Sequence, residues 1–394
     1  MPTNRQLFLQ HVAQTSDSPL LIEIERAEGI YMYDKEGKSY LDLISGIGVS
    51  TIGHRHPKVV KAIKEQIDKH LHLMVYGEFA DSPQTKLAKA ITDTLPSKLD
   101  NVFFVNSGSE AAEGAIKLAK RFTGRSEIIS FENGYHGSTS GALSICGNED
   151  LKNNYRPLLP GNRILPFNDI PSLEAITKDT AGVIIEPIQG EAGIRLADKK
   201  YFEVLRNKCN EVNALLIFDE IQTGFGRTGK FWTMEHYNVH PDILLCAKGM
   251  GGGMPIGAFI SSKEIMSVLT HNPILGHITT FGGHPVSCVS ALATLNVIQE
   301  EELMNNVEEK EALFHKLLAH PKINSIRSKG LLMAVELSSF EVLEPILNTL
   351  LNKGVLSDWF LFCDNAMRIA PPLTITNAQI ELVCKLILET LNDN

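Results

Sequence analysis

No apolar run in this 394-residue chain approaches the roughly 20 residues that a membrane-spanning helix needs. Positive charge is also short. Lys and Arg number 37 against 46 Asp and Glu, for a formal net charge of −9, and no basic block stands out. A nucleic-acid footprint needs such a block, so none is expected. The six cysteines are scattered without a CxxC pair, which reads them as small buried hydrophobes in a reducing compartment. The opening residues, MPTNRQLFLQHVAQTSDSP, lack the charged-then-apolar order of a secretion signal. A cytoplasmic location follows as the expectation. Gly53-His54-Arg55-His56-Pro57 contains an HxH pair, but no third ligand at suitable spacing accompanies it, so no metal is expected. Repeats and low-complexity stretches are absent too. What remains is ordinary globular composition, 43% hydrophobic and 21% charged, enough for one large domain and a smaller one.

The most informative stretch is LLIFDEIQTGFGRTGKFWTMEHYNVHPDILLCAKGMGGGMPIG, residues 215–257. Two apolar runs, 215–218 and 243–247, are too short for helices and read as buried parallel strands. Ligands of such sheets bind beyond the carboxyl ends of the strands, so Asp219, Glu220 and Lys248 are expected on one rim. Residues 224–230, GFGRTGK, match both GxxxxGK and GxGxxG. The first pattern needs Ser or Thr next, where this chain has Phe231, and the second should open a helix directly after its strand, where DEIQ intervenes. A third reading joins Asp219 to Lys248. A lysine at the end of an apolar strand is poorly solvated, which lowers its pKa and opens Schiff-base chemistry with an aldehyde. An acid on the neighbouring strand can pair with a protonated pyridine nitrogen, keeping that ring an electron sink.

Other segments fit this picture. Residues 22–44 alternate and turn at DKEGK, predicting a small antiparallel sheet. Ser45–Ser50 is Gly-containing and suited to close approach to a ligand; Pro57 then opens a helix with Val60, Ile63, Ile67 and Leu71 on one face. Residues 101–124 read as strand, Ser-Gly-Ser turn and helix; Ser107, Gly108 and Ser109 either cap that helix or cradle a phosphate at its positive end. Tyr135, on a Gly-flanked turn after the next strand, can stack on a flat heterocycle. Glu186 ends another strand, with Glu191 just beyond. Strands and helices alternate from 101 to 260, as in a doubly wound sheet. A helical pattern from Pro285 to about Leu318 leads to a C-terminal part with a strand at 330–337, a helix at 340–352 and a closing helix after MRIAPP.

Taken in order, NSGSEA, VIIEPIQGE, LLIFDEIQTGFGRTG, PDILLCAKGMGGGMPIGA and MRIAPPL resemble the class-III pyridoxal-phosphate aminotransferases, the acetylornithine, ornithine and 4-aminobutyrate group. The resemblance spans nearly the whole chain. It implies an α/β fold of type I: a large domain (57–285) with a mostly parallel seven-stranded sheet, and a small α+β domain from both termini (1–56 and 286–394). It implies that Lys248 binds pyridoxal 5'-phosphate and shuttles a proton, that Asp219 holds the pyridine nitrogen and Gln222 the ring hydroxyl, and that Tyr135 and Ile221 sandwich the ring. Ser107, Gly108 and Ser109 would hold the phosphate, with Thr280 reaching the phosphate of the partner's site in a homodimer. His136 and Glu186 complete the cofactor set. Glu191 and Arg368 would form a switchable pair, the arginine taking a substrate α-carboxylate; Ile47 and Thr279 complete the substrate set. The implied reaction moves an amino group from an ω-amino donor to a 2-oxo acid such as 2-oxoglutarate.

One departure matters. Ser138 stands where the acetylornithine, ornithine and 4-aminobutyrate enzymes carry an arginine that contacts a substrate carboxylate. YHGST instead resembles the ω-amino-acid and amine:pyruvate branch, and Ile47 stands where ornithine enzymes place a tyrosine. The LLIFDEIQTGFGRTG and GGGMPIGA segments resemble the acetylornithine side. An aminomutase or racemase would keep Lys248 and Asp219 as well.

Overall fold

The computed structural model describes residues 2–393. Its centre is a seven-stranded sheet built from β1 (Asn101–Val105), β2 (Glu127–Phe131), β3 (Asn162–Leu165), β4 (Thr180–Ile185), β5 (Leu215–Asp219), β6 (Ile243–Cys246) and β7 (Gly257–Ser261). The spatial order is β1-β7-β6-β5-β4-β2-β3, and β7 alone runs antiparallel to its neighbours. The strands are short apolar runs because both faces are covered. Along β5, Leu216 and Phe218 enter one core while Leu215 and Ile217 enter the other, the two-residue alternation of a pleated strand.

Helices complete the layers: α1 (Pro57–Ile67), α2 (Ser82–Thr92), α3 (Gly108–Thr123), α4 (Lys199–Val212) and α5 (Pro285–Glu300). Helix α3 lies on one face and buries Ala111, Ala112, Ala115, Ile116, Leu118 and Ala119; Gly124, with φ of +71°, ends it. Helix α4 packs Tyr201, Phe202, Leu205 and Cys209 on the other face. Helix α5 is apolar on nearly every side because α1, α2 and the turn after Lys248 surround it. The chain then passes to a second core at Leu303, whose side chain touches both.

The expected face of α1 is displaced. Val59 and Gln66 are buried, whereas Ile67 is 48% and Leu71 58% exposed, and the helix ends at Ile67. Apolar spacing marks two adjacent stripes on this helix, and α5 covers the one containing Val59 and Ile63.

The small antiparallel sheet at Ile24–Glu28, Tyr31–Asp34 and Ser39–Asp42 is present, and it gains a parallel fourth strand, Val355–Leu356, from the far end of the chain. Ile30, Leu41 and Leu43 accordingly share a core with Leu343, Ile346, Leu350, Met367 and Ile369. Strands Ser325–Ser328, Met333–Glu336, Trp359–Phe360 and Cys363–Ile369 form a further sheet, and helix Phe340–Asn352 has the bounds that its pattern predicts.

Gly114 faces β7 so closely that a β-carbon there would overlap the Phe259 ring. Gly→Ala in an open helix position would gain about 1 kcal/mol. Here overpacking outweighs that gain, so Gly114→Ala is expected to destabilise the fold by about 1–3 kcal/mol in urea unfolding.

Candidate active site

Five parallel strands direct their carboxyl ends to one cleft of about 440 Å³, as an open α/β sheet does at its ligand-binding edge. Strand β1 leads to Ser107, Gly108 and Ser109; β2 to Tyr135 and His136; β4 to Glu186 and Glu191; β5 to Asp219, Ile221 and Gln222; β6 to Lys248. All eleven of these predicted residues line the cleft. Because β7 runs backwards, it is its amino end that approaches, and Gly253–Ile256 close the wall beside the lysine.

Asp219 is 3% exposed. Its Oδ2 lies 2.7 Å from His136 Nδ1, and its Oδ1 accepts the Ile221 amide at 3.1 Å. Burial works against charge on the imidazole, but the hydrogen bond and charge of Asp219 outweigh it and hold His136 above its ordinary range. Glu220, the next residue, turns the other way: its carboxylate accepts the amides of Thr233 at 2.6 Å and Met234 at 2.8 Å and stays out of the cleft. Burial pushes Glu186 up to about 7, helped by the Asp219 charge and opposed by His136. Its two oxygens accept the Tyr135 and Gly190 amides, both at 2.9 Å, and so tie two cleft turns together.

Lys248 is half-buried and held at φ of +45°, a left-handed conformation that costs about 1–3 kcal/mol in a residue other than glycine. Burial draws its amine below the ordinary lysine range, with Glu191 opposing and Arg368 adding to that fall. A larger share of the amine is thereby left neutral and nucleophilic.

At the start of α3, Ser107 Oγ accepts the Glu110 amide at 3.2 Å. The serine is therefore a cap, and the amides of Gly108 and Ser109 remain in the first turn, where no intrahelical acceptor exists. A β-carbon on Gly108 would come 2.8 Å from Ile221 Cδ1, so glycine is what lets the Ile221 side chain pack against this turn. Tyr135 Oη and Ser138 Oγ lie 3.0 Å apart.

Behind the cleft, Arg368 meets Glu191 as a fork, Nη1 donating to Oε1 and Nη2 to Oε2, each at 3.0 Å. Arg368 Nε also donates to Asp358 Oδ1 at 2.8 Å, and the guanidinium stands 4.4 Å over the Phe360 ring. Burial opposes charge on Glu191, but the arginine beside it, with Lys248 and Gln222, carries the carboxyl down to about 2. Gln222 Nε2 donates to Glu191 Oε1 at 3.1 Å, while its Oε1 is buried without a partner.

Four predicted residues are not on the cleft wall. Arg368 lies behind Glu191. Thr279 is joined to the wall through Asn106, whose amide donates to its hydroxyl at 3.0 Å. Thr280 and Ile47 are exposed, Ile47 at 44%, and Val49 takes the wall position in that segment. Sequence reasoning also missed Asn106, which stands within NSGSEA, and Asp358, whose role depends on a hydrogen bond between neighbouring strands and leaves no motif. His54 and His56 turn to different partners, Asp42 at 2.9 Å and Glu301 at 3.5 Å.

The Glu191–Arg368 pair has a signature in stability. A carboxyl lowered in the folded state stabilises above its unfolded pKa, and that stability is lost as pH falls toward the folded value. Glu191→Gln is thus expected to be less stable than the parent by about 3–5 kcal/mol at pH 7. The gap should close as pH falls from 4.5 toward about 2, read by denaturant unfolding across that range.

The profile of the family "Aminotransferase class-III" matches residues 12–391. The acetylornithine aminotransferase of Methanocaldococcus jannaschii is 40% identical over 386 residues, 95% of this chain and 94% of that one. Its namesake from Methanopyrus kandleri is 39% identical over 90% of each chain. Among solved structures, an ornithine aminotransferase from Toxoplasma gondii, with pyridoxal phosphate at partial occupancy, superposes with a TM-score of 0.91 at 31% identity, covering 98% of this chain and 92% of that one. A thermostable (S)-enantioselective omega-transaminase from Thermomicrobium roseum gives 0.91 at 28% identity, covering 98% and 97%. The chain belongs to the class-III aminotransferases and is a pyridoxal-phosphate-dependent transaminase.

Proposed function

We propose that this transaminase takes the terminal amino group of an ω-amino donor of the acetylornithine, ornithine or 4-aminobutyrate kind and delivers it to a 2-oxo acid such as 2-oxoglutarate. One observation carries this reading: the Lys248 amine, the Asp219–His136 pair and the Glu191–Arg368 fork converge on a single cleft. The residues present fit the cofactor. The α3 amides offer a phosphate seat, and the orphaned Gln222 Oε1 calls for a donor such as a ring hydroxyl. When bound, pyridoxal phosphate supplies an aldehyde for the amine and a ring that accepts electron density.

The chain's own residues do the rest. Lys248 Nζ would hold the group and carry the proton to and from the substrate carbon. Asp219 would keep a proton on the ring nitrogen, with His136 behind it. Tyr135 and Ile221 would enclose the ring and exclude water; Ser107, Gly108 and Ser109 would hold its phosphate. Arg368 receives an α-carboxylate when Glu191 swings aside, and Glu191 stays for a donor without one. Exposed Thr280 lies on a loop with exposed Ile274, Leu275, Ile278 and Phe281, which supports a homodimer in which it serves the partner's phosphate. Residues 57–285 act as the cofactor-holding domain, with 1–56 and 286–394 as the small one. Six unpaired, buried cysteines accord with a cytoplasmic setting.

Ser138 favours a second reading, an ω-amino-acid or amine:pyruvate transaminase. Its hydroxyl pairs with Tyr135, and among the described residues no arginine stands on the cleft wall to meet a distal carboxylate.

A donor panel of N-acetylornithine, ornithine, lysine, 4-aminobutyrate, β-alanine, glutamate and aspartate, each added without acceptor, tests both readings by the half-reaction spectrum. An ω-amino donor should convert the bound cofactor and release a stoichiometric semialdehyde. Isomerised donor without an oxo product would mark a mutase or racemase instead, and no conversion with any donor would overturn the transaminase reading. Lys248→Ala should abolish the borohydride-reducible chromophore. Asp219→Asn should retain cofactor but slow proton abstraction, at least about 10²-fold by single-turnover kinetics.

A further inference from the structure

The GFGRTGK segment, rejected above as a nucleotide loop, contributes nothing to the cleft wall, yet it holds a fully buried cation. Arg227 is 1% exposed and, among the described residues, makes no ion pair. Its Nη1 donates to the carbonyls of Leu331, at 3.1 Å, and Pro371; its Nη2 donates to Thr51 Oγ1 at 3.4 Å. The Arg227 carbonyl in turn accepts the Leu331 amide at 3.0 Å. Burial draws the guanidinium down to about 10, against the field of Asp42, so it stays charged at neutral pH and is no titrating switch.

The three segments that it ties together lead to three different parts of the cleft. Pro371 follows Arg368 by three residues. Thr51 follows the wall residue Val49 and lies against the residue after the lysine: a β-carbon on Gly249 would come 2.5 Å from Thr51 Oγ1. Arg227 itself follows Gln222 by five residues on the loop from β5. The N-terminal and Arg368-bearing segments are also joined directly, with Leu373 N donating to Thr51 O at 2.8 Å and Ser45 Oγ to Ala370 O at 2.7 Å.

We infer that Arg227 is a positioning residue, fixing the strand that carries Arg368 and the segment that carries Val49 against the Gln222 loop and the Lys248 turn. It touches neither substrate nor cofactor. A planar guanidinium presents two nitrogens to separate segments in a fixed fork; a lysine ammonium gathers its donors on one atom at the end of its stem and lacks that geometry. The inference rests on the proposed role of Arg368 as the α-carboxylate receptor, and its consequence falls on carboxylate binding rather than on the chemistry at Lys248.

The experiment uses the holoenzyme with Arg227→Lys and Thr51→Val, reading KM and kcat for glutamate and 2-oxoglutarate, cofactor absorbance and Tm. Arg227→Lys should raise KM for both carboxylates about tenfold while bound cofactor is kept and kcat changes less than about threefold. Thr51→Val, which removes one acceptor, should raise KM about two- to fivefold; it carries the test alone if the lysine variant fails to fold. Unchanged KM in a folded variant, or a KM rise accompanied by equal losses of kcat and bound cofactor, would overturn the inference by reducing Arg227 to a structural staple. A parent enzyme that turns over no donor would overturn the transaminase reading first, and this inference with it, so the two failures are told apart by the parent.

Discussion

A carboxylate at the end of a central strand must be stabilised by its neighbours, because moving a charge out of water costs several kcal/mol in a real protein. At Asp219 the neighbours are the His136 ring and the Ile221 amide. The rest of the cleft is arranged around that requirement. Strand β2 ends where it can deliver His136, and β4 ends on Glu186, whose oxygens hold the Tyr135 and Gly190 turns in place. Glu220 turns inward to bond two amides rather than add a further negative charge to the rim. The geometry that supports Asp219 therefore also orients the Tyr135 turn and the turn that leads to Glu191.

A second electrostatic balance is struck around Arg368. Two acids share one guanidinium, Glu191 through the fork and Asp358 through Nε. Burial raises the Asp358 carboxyl above its usual range against the pull of the arginine, while Glu191 is held far below. Asp358 also joins Arg368 along the backbone, Arg368 N donating to its carbonyl at 2.9 Å. Glu191 reaches across from a turn of the large sheet, and its Oε2 also accepts the Leu361 amide at 3.3 Å.

Much of this was legible in the amino-acid order. Short apolar runs ending in Asp219 and Lys248 marked two neighbouring strands, since a strand covered on both faces has no polar alternation to hide it. The helix after Ser107 announced itself through a capping serine, alanine-rich spacing and a terminal glycine. Other features depended on contacts between distant segments. Which stripe of α1 is buried is decided by α5, more than 200 positions later, and Asp358 finds Arg368 only because two strands are neighbours. Arg227 sat within a motif that pointed elsewhere. Its role is invisible until residues 51, 331 and 371 are brought to it.

The reversed direction of β7 has a consequence for how this architecture can vary. Between β6 and β7 the chain makes a hairpin across the mouth of the cleft, and both the lysine and the 253–256 wall belong to that one connection. Lengthening or shortening it would displace nucleophile and wall together. The outer helices carry a milder version of that constraint, since α3 meets β7 where Gly114 faces the Phe259 ring. A connection that holds both has little freedom to be edited, and diversity in what such a fold accepts is left to the other loops.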